Sequence, residues 1–305
     1  PHPPTSQRLV RPWVSEVLRT VVGRNDPDKI RQVKGSHLVV DKLFDHDRGY
    51  FFQNADGRIC FAIPYEGNFT LIGTTDEDYK GEPGRPEITQ AETNYLLAAV
   101  SEYFRLPVTH DMIRWSYSGI RPLYDDGASK AQEATRDYVL KLDHPENQAP
   151  LLSVFGGKIT TSRKLAEHAL EKLTGFFPNA AGPWSRDANL PGGQIEVDAV
   201  AQYITQKQKT YSFLDPSNVE RLVKAYGTEI EKLLGDARFA SDLGQFFGPL
   251  SEREVEYLQT YEWAETADDI LWRRSKLGLH LSVDEQNRFK AFLGRKQNAR
   301  EPAKA

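Results

Sequence analysis

The sequence predicts an α+β chain, a mostly antiparallel sheet followed by a small all-α unit, and three observations carry that prediction. Between Ser36 and Thr75, short runs rich in β-branched and aromatic residues alternate with glycine-containing turns. Around Pro178–Gly193 the composition shifts to proline, glycine and small polar residues, as at a domain boundary. Beyond it almost every signal is helical. The expected division is residues 1–11 as a tag remnant, truncation scar or disordered arm, 12–180 as the sheet-bearing domain, and 181–305 as the helical domain.

In chain order, Trp13–Val22 has the apolar spacing of a short amphipathic helix, closed by the turn residues Gly23–Pro27. Ser36–Val40, Tyr50–Gln53, Ile59–Pro64 and Phe69–Thr75 read as strands joined by hairpin connections. Thr89–Tyr103 reads as a helix opened by a capping box, Thr89 as cap and Glu92 as its reciprocal partner. Met112–Ile120 and Tyr138–Leu142 return to strand character around a polar loop, Asp125–Thr135. Leu151–Phe155 is a buried strand, Gly156 and Gly157 form a turn, and Ile159–Lys172 is a helix. In the last third, Glu196–Lys209, Pro216–Tyr226 after the cap Asp215, Glu229–Leu234, Ser251–Trp263, Thr266–Leu277 and Ser282–Leu293 are expected helices. Three of these begin with capping boxes, Ser251 with Glu254, Thr266 with Asp269 and Ser282 with Glu285.

At 305 residues, 39% hydrophobic and 27% charged with a net charge of -4, the chain has the composition of a globular protein with a sizeable core and no electrostatic invitation to nucleic acid. A single cysteine, Cys60, excludes an internal disulfide and a cysteine metal cluster and suits a reducing, cytoplasmic setting. Neither a membrane-length apolar run nor a secretory signal occurs, while peripheral attachment to a membrane and a homodimer stay open.

Gly156 and Gly157 let a ligand approach the backbone, and the amino end of the following helix favours an electron-rich group. Lys158, Thr160 and Thr161 add a cation and two hydroxyls there. Arg121 at a strand end, Arg136 just before another strand and Lys158 after a third would converge on one end of the sheet if those strands are neighbours. Such a cluster suits a phosphate or carboxylate. The competing reading pairs the arginines with Asp125, Asp126 or Asp137 nearby. His37, entering a strand after Lys-Gly-Ser, is a candidate base, or an ordinary strand histidine. His110, His168 and His280 have no company of interest, and no spacing indicates a metal site. Neither a G-x-G-x-x-G dinucleotide fingerprint nor a Walker sequence is present.

Six segments in order, KGSHLVV, TLIGTTD, YSGIRPL, TRDYVL, SVFGGKITTSRKLAEHAL and EWAETADDILWRRSKLGL, resemble the FAD-dependent, respiratory-type glycerol-3-phosphate dehydrogenases. The resemblance runs from Pro12 to Leu293. It implies part of an FAD-binding domain, a substrate-binding antiparallel sheet and a helical cap. It also implies oxidation of sn-glycerol 3-phosphate to dihydroxyacetone phosphate with electrons passed to a quinone at the inner face of the cytoplasmic membrane. Carried over by motif, His37 takes the substrate hydroxyl proton and Arg121 and Arg136 anchor the phosphate. Lys158 serves substrate and flavin, and Gly156, Gly157, Thr160 and Trp13 contact the flavin. The family begins with a strand and glycine-rich turn for the ADP half of FAD, and this sequence starts after it. The expectation is therefore a truncated chain that alone binds FAD poorly and is inactive. An oxidase returning electrons to oxygen and a non-catalytic module that binds a phosphorylated polyol or a partner chain are the competing functions.

Overall fold

The computed structural model describes residues 13–300, apart from 21–22, 24–29, 82–83, 85, 126, 128–134, 147–148 and 180. The arm at 1–11, most of the turn Gly23–Pro27 and most of the loop Asp125–Thr135 lie outside the described residues. The chain divides into two compact units, Pro1–Arg186 and Asp187–Ala305.

The first unit is built on an antiparallel sheet. Its strands are β1 Ile30–Asp41, β2 Tyr50–Gln53, β3 Ile59–Tyr65, β4 Phe69–Gly73, β5 Glu77–Asp78 and β6 Ile113–Tyr124. They run in the order β2-β3-β4-β1, with β5 also on β1 and β6 pairing β1 on its own. The helix α2, Gln90–Ser101, covers one face. Its Leu96, Leu97 and Val100 pack with Leu38, Val40, Phe52, Cys60, Ala62 and Ile72, the residues that strand alternation puts on that side. Capping is as the sequence indicates, with Thr89 and Glu92 bonded reciprocally.

Glu92 does more than cap. Its carboxylate is 1% exposed and meets Lys34 Nζ at 2.8 Å. It also accepts from Ser36 Oγ at 2.8 Å and Thr75 Oγ1 at 2.9 Å. Burial alone would raise its pKa, but the lysine and the donors from Thr89, Ser36 and Thr75 outweigh that and hold it at about 2.

The strands β7, Tyr138–Asp143, and β8, Leu151–Gly156, form a separate antiparallel hairpin. Phe155 packs with Val14 and Leu18 of α1, Val14–Thr20. The next helix, α3, spans Ser162–Leu173, because a tighter turn at Ile159–Thr161 precedes it. Apolar side chains of this segment stay exposed: Ile159, in the turn, is 87% exposed and Leu170, in α3, 60%.

Two strands exceed their predicted length by several residues. β1 starts at Ile30 because Arg31–Gly35 pairs with Gly119–Leu123 despite its polar content. β6 continues through Arg121 and Pro122, a proline being tolerated because β6 pairs only with β1 within this sheet and so forms its edge. Arg121 thus lies inside a strand rather than at its end.

The second unit is helical, with α4 Val200–Thr210, α5 Pro216–Tyr226, α6 Ile230–Leu234, α7 Glu252–Tyr261, α8 Val283–Arg300 and a two-stranded ribbon, β9 Phe246–Phe247 and β10 Leu250–Ser251. A core of Val219, Leu222, Ile230, Leu234, Phe247, Leu258, Ile270 and Phe289 joins them. The caps at Thr266 with Asp269 and Ser282 with Glu285 form in both directions. At Ser251 only half of the box forms. Ser251 Oγ accepts from the Glu254 amide at 3.2 Å, while the Glu254 carboxylate takes both Nη atoms of Arg221, at 2.8 and 2.7 Å, and the Tyr226 hydroxyl, at 2.7 Å. A buried carboxylate goes to the stronger charged donor. The helix expected over Thr266–Leu277 is a wide π turn at Asp269–Arg274.

Candidate active site

The face of the first unit's sheet opposite α2 carries the groups of chemical interest. In the register of β1 with β6, His37 faces Tyr117, Gly35 faces Gly119 and Val33 faces Arg121; on the other side His37 faces Gly73 of β4. Directly opposed residues share a face, so His37, Tyr117 and Arg121 stand together.

Two glycines make room for them. A Cβ on Gly35 would lie 2.4 Å from Arg121 Nη1, and one on Gly73 would lie 2.2 Å from His37 Cδ2. The arginine therefore crosses β1 over a bare backbone, and the imidazole fits between Gly73 and the ring of Tyr117. The His37 and Tyr117 rings are stacked with centroids 4.9 Å apart.

Arg121 Nη1 donates to Asp76 Oδ1 at 2.5 Å and Nη2 donates to Thr74 Oγ1 at 3.2 Å. Arg136 Nη2 reaches the other oxygen, Asp76 Oδ2, at 3.4 Å. Two arginines, 15 positions apart in the chain, thus share one carboxylate. Among the described residues their shared partner is Asp76 and not Asp125 or Asp137, Asp126 lying outside the described residues, because the turn after β4 delivers Asp76 to the rim where β6 and the entry to β7 meet. The His37 pKa is pushed down to about 4, first by burial and then by the positive charge of Arg121. His37 Nδ1 is buried with no hydrogen-bond partner among the described residues.

The glycine turn lies close by in the fold. A Cβ on Gly156 would meet Asp137 O at 3.0 Å and the Tyr124 amide at 3.2 Å, the neighbours of Arg136 and the end of β6. Gly156 and Gly157 have φ of +70° and +96°, a region where only glycine is unstrained. Lys158 and Thr160 are exposed beyond them. Trp13 is half-buried at the start of α1, whose Val14 and Leu18 pack on Phe155 beside the same turn.

Sequence reasoning missed Asp76, Thr74 and Tyr117, although all three lie in segments that carry the family resemblance. The acid of TLIGTTD was a signal left unweighed. It also passed over His168, whose Nδ1 is 2.5 Å from the Tyr138 hydroxyl. That pair lines an open depression with Leu140, Glu171 and Lys172, which contains neither His37 nor the arginines.

Residues 12–163 match the family described as FAD dependent oxidoreductase, and residues 184–289 match the C-terminal domain of alpha-glycerophosphate oxidase. The chain is 44% identical over 283 residues to the aerobic glycerol-3-phosphate dehydrogenase of Escherichia coli, covering 92% of this chain and 56% of that protein. It is 40% identical over 279 residues to the D-erythritol 1-phosphate dehydrogenase of Brucella abortus, covering 91% and 55%. The chain therefore spans little more than half the length of these curated relatives. Among solved structures, the glycerol-3-phosphate dehydrogenase from Bacillus halodurans complexed with FAD superposes with a TM-score of 0.72 at 25% identity. That similarity covers 93% of this chain and 60% of the other.

Proposed function

The chain belongs to the FAD-dependent glycerol-3-phosphate dehydrogenases, and from that premise we propose that it carries the substrate-binding face of an enzyme oxidising sn-glycerol 3-phosphate to dihydroxyacetone phosphate. The observation that carries this reading is the meeting of Arg121 and Arg136 on one carboxylate, on the face that also holds His37. Forked guanidinium donors match a phosphate in geometry and charge.

In this reading Arg121 and Arg136 hold the phosphate, and the bound substrate lies across Gly35 toward His37. The depressed pKa keeps the imidazole neutral near pH 7, so that it can accept the proton of the substrate's secondary hydroxyl. The buried, unpartnered nitrogen of His37 and the positive-φ turn at Gly156–Gly157, followed by the exposed Lys158, fit a flavin at this rim. FAD bound there would supply the hydride acceptor for the substrate carbon. Gly156, Gly157, Lys158, Thr160 and Trp13 would hold it, with Lys158 and the amino end of α3 balancing negative charge.

A quinone is the proposed final acceptor, and peripheral attachment at the inner face of the cytoplasmic membrane is part of the same reading. Among the described residues no helix is long and apolar enough to cross a membrane. The match to an oxidase C-terminal domain favours a second reading, in which oxygen takes the electrons. Turnover of FAD-loaded protein with glycerol 3-phosphate, read as dihydroxyacetone phosphate formed with a soluble quinone or with oxygen consumed, tests both. Formation of no dihydroxyacetone phosphate with either acceptor would refute the enzymatic reading.

A further inference from the structure

The geometry points to Asp76 as a resident counter-ion that occupies the anion site between Arg121 and Arg136 and yields the two guanidiniums to the phosphate of the ligand. The inference rests on the reading of these arginines as the phosphate anchors. Each Asp76 oxygen faces one of the arginines, Oδ1 to Arg121 at 2.5 Å and Oδ2 to Arg136 at 3.4 Å. The carboxylate therefore uses donors that an incoming phosphate would use. A carboxylate set between two guanidiniums both opposes the approach of an anion and keeps the two cations from repelling each other while the site is unliganded.

The surroundings allow the exchange. Asp76 cannot leave with its backbone, because Thr75 before it is pinned from the far face of the sheet. Thr75 Oγ1 accepts from the Ser36 amide at 3.0 Å and donates to Glu92 at 2.9 Å. Only the side chain is left to turn. Arg121 meanwhile keeps a second anchor, Thr74 Oγ1 at 3.2 Å, and so stays aimed across Gly35 when the carboxylate lets go. The three side chains are partly solvated, with 31%, 45% and 17% of Arg121, Arg136 and Asp76 exposed, so water can replace the broken contacts at modest cost.

The competing role is a scaffold, in which Asp76 only props the arginines in place; the sign of a substitution separates the two. Titration of the full chain with inorganic phosphate at pH 8, followed by calorimetry, is compared for the unaltered protein, Asp76→Asn and Asp76→Glu. A resident counter-ion predicts that Asp76→Asn binds phosphate about fivefold more tightly, the scale of a partly exposed ion pair, while Asp76→Glu binds as the unaltered protein does. Weaker or unchanged binding by Asp76→Asn, with phosphate still bound by the unaltered chain, would overturn the role of Asp76 and leave the anion site standing. Phosphate binding by neither form would remove the anion site and the inference together. Should Asp76→Asn fail to fold, carbon NMR of the Asp76 carboxyl in the unaltered chain decides. Release predicts a shift on saturation with phosphate, and a resonance that does not move rejects the exchange.

Discussion

The imidazole of His37 lies nearly parallel to the phenol ring of Tyr117, 9° apart in plane with centroids separated by 4.9 Å. The two residues face each other across β1 and β6, and the ring stack closes one side of the imidazole while Gly73 lies on the other. A ring confined in this way presents its nitrogens in a fixed direction, and burial keeps it uncharged.

Replacing Arg121 with alanine should raise the Michaelis constant for glycerol 3-phosphate by about ten- to a hundredfold, roughly 1.5 to 3 kcal/mol for a charged hydrogen bond in a partly solvated site. Steady-state kinetics of FAD-loaded protein reads this directly. A change under twofold would remove Arg121 from the substrate site.

His37→Ala should act on the other constant, lowering turnover by about a hundredfold or more while leaving the Michaelis constant within a few fold. On the proposed roles, proton transfer would be lost while the phosphate anchors would remain. Equal losses in both constants would argue for a collapsed strand rather than a missing base.

Acid should weaken the native state through His37. Its folded pKa of about 4 lies below the ordinary 6.5, so the unfolded chain takes the proton first. Stability is full above about pH 6.5 and falls as pH drops toward about 4, by about 3 kcal/mol in all. Denaturant melts of the chain and of His37→Gln across this range should diverge by that amount, the variant being less sensitive to acid. Phosphate on Arg121 should also raise the His37 pKa in NMR titrations, by offsetting the charge that lowers it.

The two glycines should separate fold from site. Gly35→Ala places a methyl against the flexible end of Arg121, so it should cost under about 1 kcal/mol of stability while weakening phosphate binding. Gly73→Ala collides with an imidazole already stacked on Tyr117 and should cost about 1–3 kcal/mol, as overpacking does. Thermal melts together with phosphate titrations check both.

Glu92→Ala should cost about 3–5 kcal/mol, because it leaves the Lys34 ammonium buried without its partner. The Glu92 pKa is lowered to about 2 from 4.5, so its contribution is complete above about pH 4.5 and disappears as pH falls through about 2. A denaturation midpoint for the first unit that is unchanged in the variant would show that the ion pair contributes nothing there.

The chain itself determined its local structure. Alternation and turn residues set β2, β3 and β4, the Thr89–Glu92 box set the start of α2, and the glycine pair set the turn after β8, because each is decided by neighbours a few positions apart. The segments that carry the family resemblance likewise pointed to His37, Arg121 and Arg136. Only the tertiary structure decided how these groups are partnered. Spacing left open whether the arginines converge on an anion or pair with Asp125, Asp126 or Asp137 nearby; in the fold they share Asp76, 45 and 60 positions before them. Glu254 likewise abandons half its expected cap for Arg221, 33 positions away. Charges choose partners by distance and burial in space, and those are fixed by sheet register and by how the helices within each unit pack, which no stretch of neighbouring residues encodes.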